Sequence, residues 1–212
     1  MMILEDRFIT KARGDILDLY KCLNISPESS YDLFSCNFKE SCRDNIDSHI
    51  WKSGSWIYIG HDYGKAKING KNVKILVVSM DRGGYKGSNT ETFEETQMIF
   101  REGTELRWNP HMGGVSLIIE YLVDEKDIFL YSRQYALTNA VKCTTLTGNS
   151  KAVKSFTVID NCSCHLKEEI DTIDPDIIIT QGKHPSQTIK KFFPPTAPNI
   201  YNKIEVWSHG SK

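Results

Sequence analysis

No stretch of this 212-residue chain approaches the roughly 20 consecutive apolar residues that a membrane-spanning helix needs, so no membrane partner is expected. It also lacks a surplus of one charge. Its 26 basic and 27 acidic side chains leave a net charge of −1, which excludes coating nucleic acid by charge alone. No targeting segment opens it, because Glu5, Asp6 and Arg7 follow the first apolar residues at once, and a cytoplasmic location is expected. Internal repeats and low-complexity tracts are absent. So are the three-glycine dinucleotide spacing and the Gly-Lys-Ser/Thr of a phosphate loop. Asp81-Arg82-Gly83-Gly84 therefore reads as a turn that lets backbone approach a ligand, not as a nucleotide fingerprint.

What is present is the composition of an ordinary globular protein, 40% apolar and 25% charged, at a length suited to a single domain. Six cysteines stand out in a chain with no sign of secretion. In a reducing compartment they read as metal ligands or reactive thiols before disulfides.

Residues 1–70 show no regular period beyond a helix-like stretch from Asp15 to Cys22 and an aromatic piece from Trp51 to Tyr58, and read as an N-terminal extension. From residue 73 the character changes. Val73 to Val78, Tyr135 to Val141, Asp176 to Thr180 and Ile204 to Trp207 are short apolar runs that read as strands. Between them, Thr92 to Phe100, Val115 to Leu122 (entered through Gly113-Gly114), Cys162 to Ile173 and Pro185 to Phe193 have helical spacing. Alternating strands and helices predict a three-layer α/β/α domain with a central four-stranded parallel sheet.

In such a sheet ligands bind beyond the carboxyl ends of the strands. The residues there are Asp81, Asn139, Gln181 with His184, and His209. Each alone equally suits a cap or a turn. As a set, the fold would gather a carboxylate, two amides and histidines at one edge.

Among the cysteines, Cys22 stands alone and reads as a small buried apolar residue. Neither Cys36-x5-Cys42 nor Cys162-x-Cys164-His165 has a zinc-finger spacing. Spacing alone leaves a four-cysteine metal site, a zinc site drawing on Cys36, Cys42, Cys162 or Cys164 and His165, and unligated thiols all open.

Four stretches occur in order: Lys74 to Gly84, Thr138-Asn139-Ala140-Val141-Lys142-Cys143, Cys162-x3-Leu166-x3-Ile170, and Pro175 to Gly182. Together they resemble the uracil-DNA glycosylase superfamily, in particular its iron–sulfur branch. There a strand leads into Gly-Glu-Ala-Pro-Gly, a later strand ends Thr-Asn-Val-Val-Lys-Cys, and a helix begins near the fourth cysteine. The last motif is His-Pro-Ser. The resemblance covers about residues 73–211, and Thr138 to Cys143 is its most specific element.

The resemblance implies a 4Fe-4S cluster, with zinc the alternative, held by Cys36, Cys42, Cys143 and Cys162. Cys162 fits better than Cys164 because Leu166 then takes the place of the family's leucine. It implies a monomeric enzyme acting on DNA, hydrolysing the N-glycosidic bond of an extrahelical uracil or related base. Asn139 would read the base, Tyr85 is the nearest candidate to stack on it, and Asp81 and His209 would be catalytic. Apart from the resemblance, Lys183 and Ser186 at a helix start would meet phosphates, with a plain solvated helix start the commoner alternative. His184-Pro185-Ser186 also looks like the last motif but lies one strand early, so His209 is preferred. The first loop departs from the family, reading Ser79-Met80-Asp81-Arg82-Gly83-Gly84. The given sequence stops just after His209-Gly210-Ser211, where the family has a further loop that enters the duplex. These departures favour the rival, an iron–sulfur nucleic-acid- or nucleotide-binding protein of the same fold without glycosylase activity.

Overall fold

The computed structural model describes residues 5–26, 36–44, 50–54, 56–80, 92–101, 110–123, 128–146, 156–193, 199–201 and 204–208. The chain runs through α1 (Glu5–Leu23), α2 (Lys39–Asp44), β1 (Ile50–Ser53), β2 (Tyr58–Ile59), β3 (Ala66–Ile68), β4 (Lys71–Val73) and β5 (Ile75–Ser79). It continues through α3 (Phe93–Arg101), α4 (Pro110–Val123), α5 (Ile128–Tyr131), β6 (Tyr135–Asn139) and β7 (Cys143–Leu146). Last come α6 (Phe156–Ile173), β8 (Ile177–Thr180), α7 (Lys183–Phe192), β9 (Asn199–Tyr201) and β10 (Ile204–Ser208).

β5 is the central strand, parallel to β6 on one side and to β8 on the other. Its run from Ile75 to Val78 is fully buried, as a strand covered on both faces must be. Alternation divides the side chains between two cores. Leu76, Val78, Ala136 and Ile178 meet Ile16 and Tyr20 of α1 and Leu166 and Ile170 of α6. Ile75, Val77, Tyr135, Leu137 and Ile179 meet Met112, Val115 and Ile119 of α4 and Tyr131 of α5. Helices on both faces of a sheet give the expected three layers.

The sheet is larger than the sequence implies, and it is mixed. Six strands lie in the order β2-β6-β5-β8-β10-β9. The fourth predicted strand, β10, runs antiparallel to β8, pairing Val206 with Ile179 and Ser208 with Ile177. The reason is a strand the sequence hid: β9 has three residues and begins only five before β10. β9 and β10 pair antiparallel, so the chain returning from α7 meets the outer edge first and folds back beside β8.

Described parts of the first 70 residues pack against the sheet and its helices. β2 is an edge strand of the main sheet, pairing Tyr58 with Leu137 and Ile59 with Ala136. α1 is longer than expected, and its stripe of Ile9, Ala12, Ile16 and Tyr20 recurs every three or four residues against α6. Cys22 falls off that stripe and is exposed, not buried as expected. Gly113 and Gly114 lie inside α4, which starts at Pro110, a residue whose fixed φ suits a first helical position. Between β3 and β4, Asn69 (φ 51°) and Gly70 (φ 77°) form the left-handed pair of a tight hairpin. Among the described residues no helix is long and apolar enough to cross a membrane.

Gly54, just past β1, lets two segments of backbone approach closely. A Cβ on Gly54 would lie 2.4 Å from the carbonyl oxygen of Lys142, to which the Gly54 N–H donates at 3.1 Å. Gly54→Ala must push the backbone at Lys142 away. The expected loss is about 1–3 kcal/mol of stability, read from the urea midpoint.

Candidate functional site

The carboxyl ends of β6, β5 and β8 lie side by side. Ser79 is in register with Asn139, and the Gln181 N–H donates to the Val78 carbonyl at 2.9 Å. Alternation puts Asn139 on the side of Leu137, Ser79 on that of Val77, and Gln181 on that of Ile179, so all three share one face. All three are half-buried, and the Ser79 hydroxyl donates to Gln181 Oε1. The ladder continues past the strand end, with Ala140 N–H donating to the Ser79 carbonyl (2.7 Å) and Val141 N–H to that of Met80 (2.9 Å). The segment after Asn139 is thereby fixed.

Asp81 and Tyr85 lie outside the described residues; Asp81 follows Met80, one residue beyond β5. Past Gln181, Gly182 takes φ 92° and α7 begins, carrying Lys183, His184 and Ser186. Lys183 is exposed and Ser186 is buried. The His184 ring meets Phe156 edge-on at 5.5 Å. His209 also lies outside the described residues. Ser208, just before it, pairs with Ile177 at the amino end of β8, so the antiparallel β10 leads away from this edge.

The cysteines gather on the opposite face. Cys36, Cys42, Cys143 and Cys162 line one cavity with Phe38, Lys39 and Lys142. Cys164, two residues along the same helix from Cys162, is exposed and donates to the Asn161 carbonyl of that helix. The sulfurs already have polar company. Lys142 N–H points at Cys162 Sγ (3.4 Å), Asn161 Nδ2 at Cys42 Sγ (3.3 Å), and His165 Nε2 lies 3.4 Å from Cys36 Sγ. Burial, with the charge of Cys162 and Cys42 adding to it, pushes the Cys36 thiol up to about 11, and burial raises Cys42 as well. Cys143 is raised because it hydrogen-bonds to Cys162. Cys162 is lowered by that same bond, by the Lys142 N–H and by the Lys142 charge. Burial, with Lys142 nearby, pushes His165 down to about 4, and its Nδ1 has no partner among the described residues.

A set of thiols that penalise one another's ionisation is one a cationic centre would relieve, so the donor set fits a thiolate-bound metal group. Among the described residues no three ligating side chains are drawn together tightly enough to clasp a single ion.

Between the two regions lies a network that sequence reading missed. Lys142 and Glu169 are 3% and 0% exposed, and Lys142 Nζ is 2.6 Å from Glu169 Oε2. Thr138 Oγ1 donates to the same oxygen (2.7 Å) and accepts from Lys142 Nζ (2.8 Å). The Tyr20 hydroxyl donates to Glu169 Oε1 and accepts the Ile57 N–H at 3.2 Å. Burial, and next the Glu169 charge, hold the Tyr20 phenol protonated, well above its usual range. Two signals could have revealed this network. Lys142 interrupts the buried run from Ala140 to Cys143, and Glu169 sits on the buried stripe of α6 with Leu166, Ile170 and Ile173. A charge in either place needs a partner.

Comparison with known families matches residues 67–211 to the model of the uracil DNA glycosylase superfamily. No curated protein matches the chain.

The network yields a stability prediction. Lys142→Met leaves the Glu169 carboxylate buried without its cation and should cost about 3–5 kcal/mol in urea unfolding. Adding Glu169→Leu should recover much of that loss, since no charge then remains unpaired.

Proposed function

The chain belongs to the uracil DNA glycosylase superfamily, and we propose that it hydrolyses the N-glycosidic bond of uracil or a related base flipped out of DNA. The observation that carries the reading is Asn139 at the carboxyl edge of the parallel strands, its backbone held by β5 and the face it occupies lined by other amide and hydroxyl groups. A carboxamide offers one donor and one acceptor, which complements the carbonyl and N–H of a uracil edge. The departing base gathers negative charge while the sugar becomes cationic. Asp81, one residue past Met80, orients the attacking water and stabilises that cation. The histidine that donates to the departing base is His184, not His209. His184 opens α7 beside Gln181, whereas β10 ends at the opposite edge of the sheet. Lys183, exposed at the same helix start, meets backbone phosphate, a contact for which the buried Ser186 is less well placed.

Cys36, Cys42, Cys143 and Cys162 hold a 4Fe-4S cluster, and its contribution is structural: it ties the α2 segment to α6 and to the end of β6. A cluster suits the cavity better than zinc does. Zinc needs its donors about 2.3 Å from one point, whereas each cluster thiolate binds its own iron.

Two measurements test these assignments. Single-turnover base release from uracil-containing DNA should fall at least about 100-fold with Asp81→Asn, Asn139→Ala or His184→Ala, and little with His209→Ala. Salt-dependent DNA binding with no base release would favour the non-catalytic rival. Anaerobically purified protein should be brown with iron and sulfide bound, a colour that Cys162→Ser removes and Cys164→Ser leaves. A colourless wild-type protein carrying zinc would overturn the cluster.

A further inference from the structure

We infer that His165 and Asn161 are positioning residues for the cysteine-bound cluster, donating N–H hydrogen bonds to the thiolates of Cys36 and Cys42 and so setting its reduction potential. The inference rests on the proposed 4Fe-4S cluster and goes beyond it by assigning work to two side chains that bind no iron.

Both donors come from α6. Asn161 and His165 are four residues apart, one turn of the helix, and Cys162 lies between them. Asn161 Nδ2 is 3.3 Å from Cys42 Sγ, and His165 Nε2 is 3.4 Å from Cys36 Sγ. The Lys142 N–H points at Cys162 Sγ from 3.4 Å. Three of the four sulfurs thus each face one nitrogen, supplied by three different residues.

His165 is the more telling of the two side chains. It is 3% exposed, and its Nδ1 has no hydrogen-bond partner among the described residues. Phe38 meets the ring edge-on at 5.8 Å, and a phenyl ring would fill the same space without leaving a buried nitrogen unmatched. What the imidazole adds is Nε2 against the sulfur. While Cys36 is a thiol, either partner can donate. A metal-bound thiolate has lost its proton, so the bond then persists only as Nε2–H to sulfur. No acceptor among the described residues holds that proton on Nδ1 instead.

A 4Fe-4S cluster with four thiolates is anionic, and each added electron makes it more so. Donors aimed at the sulfurs spread that charge and favour the reduced state. Asn161 and His165 therefore raise the potential through the ligands they touch.

Film voltammetry on anaerobically purified, cluster-loaded protein tests this. His165→Phe should hold the added electron about tenfold less tightly, a midpoint lower by about 59 mV for a one-electron couple. Asn161→Leu should move it the same way, and His165→Gln, which keeps an N–H donor, should restore part of the loss. Unchanged midpoints in His165→Phe and Asn161→Leu would reduce both side chains to packing and overturn the inference. Wild-type protein supplies a check that needs no variant to fold. With isotopically labelled histidine, pulsed electron–nuclear resonance on the cryoreduced cluster should show a weak nitrogen coupling of the kind a hydrogen bond transmits. Absence of any coupling overturns the role of His165, and a strong coupling does so equally by making the imidazole a ligand. Colourless, zinc-loaded wild-type protein would sink the cluster and this inference with it, a result distinct from a brown protein whose potential ignores both substitutions.

Discussion

Glu169 and Lys142 have both left water, and two charges buried in protein are tolerable only while each satisfies the other. That requirement organises much of the domain. Glu169 rides on α6, Lys142 follows β6, Tyr20 comes from α1 and Thr138 from inside β6, so meeting one carboxylate's needs sets three elements against one another. Replacing the ion pair by apolar side chains could preserve the packing, but it would lose the directionality that puts the Lys142 N–H on Cys162 and the Lys142 carbonyl on Gly54. The ion pair is thus better understood as fixing one arrangement of the strand end than as adding net stability.

The strand end it fixes carries chemistry on both faces. Within six residues the chain passes from Thr138, bonded into the network, through Asn139 on the other side, to Lys142 and then Cys143 at the cysteine cavity. Cys162 lies two helical turns before Glu169 on α6, so the cavity and the ion pair share a helix as well as a strand. Order in the α2 segment, which brings Cys36 and Cys42, therefore bears on the same short stretch of backbone that presents Asn139.

How much of this was legible in the sequence depends on how burial writes itself into residue patterns. β5, β6 and β8 are buried on both faces and read as apolar runs, so they and the amides at their ends could be found without coordinates. Elements that are amphipathic or very short left weaker traces. α1 spreads Ile9, Ala12, Ile16 and Tyr20 among charged neighbours, and β2 and β9 are only two and three residues long. The direction of β10 was illegible for a different reason, since it depends on the preceding hairpin and not on anything within the strand. β10 itself ends at the edge opposite Asn139 and Gln181, which is why the proposed histidine is His184, while His209 lies outside the described residues. The cysteines were countable, but no spacing joins residues 36 and 42 to residues 143 and 162; the family resemblance grouped them, and the packing of α2 against α6 brings them round one cavity.

A single peptide link, between Thr138 and Asn139, separates a buried face from a half-buried one. Alternation along a strand makes this possible: neighbouring residues cannot share a side, so a polar anchor on one face leaves its neighbour's side chain on the other. Thr138 is 2% exposed and has hydrogen-bond partners in both Lys142 and Glu169, which holds the backbone on either side of it. Asn139 then needs no packing of its own to be aimed. The ladder bonds from Ala140 and Val141 to β5 fix the chain just beyond it, and the network fixes it just before. A side chain pinned on both flanks by groups it does not touch can remain half-exposed and still be preorganised, as the base-reading role proposed for Asn139 requires.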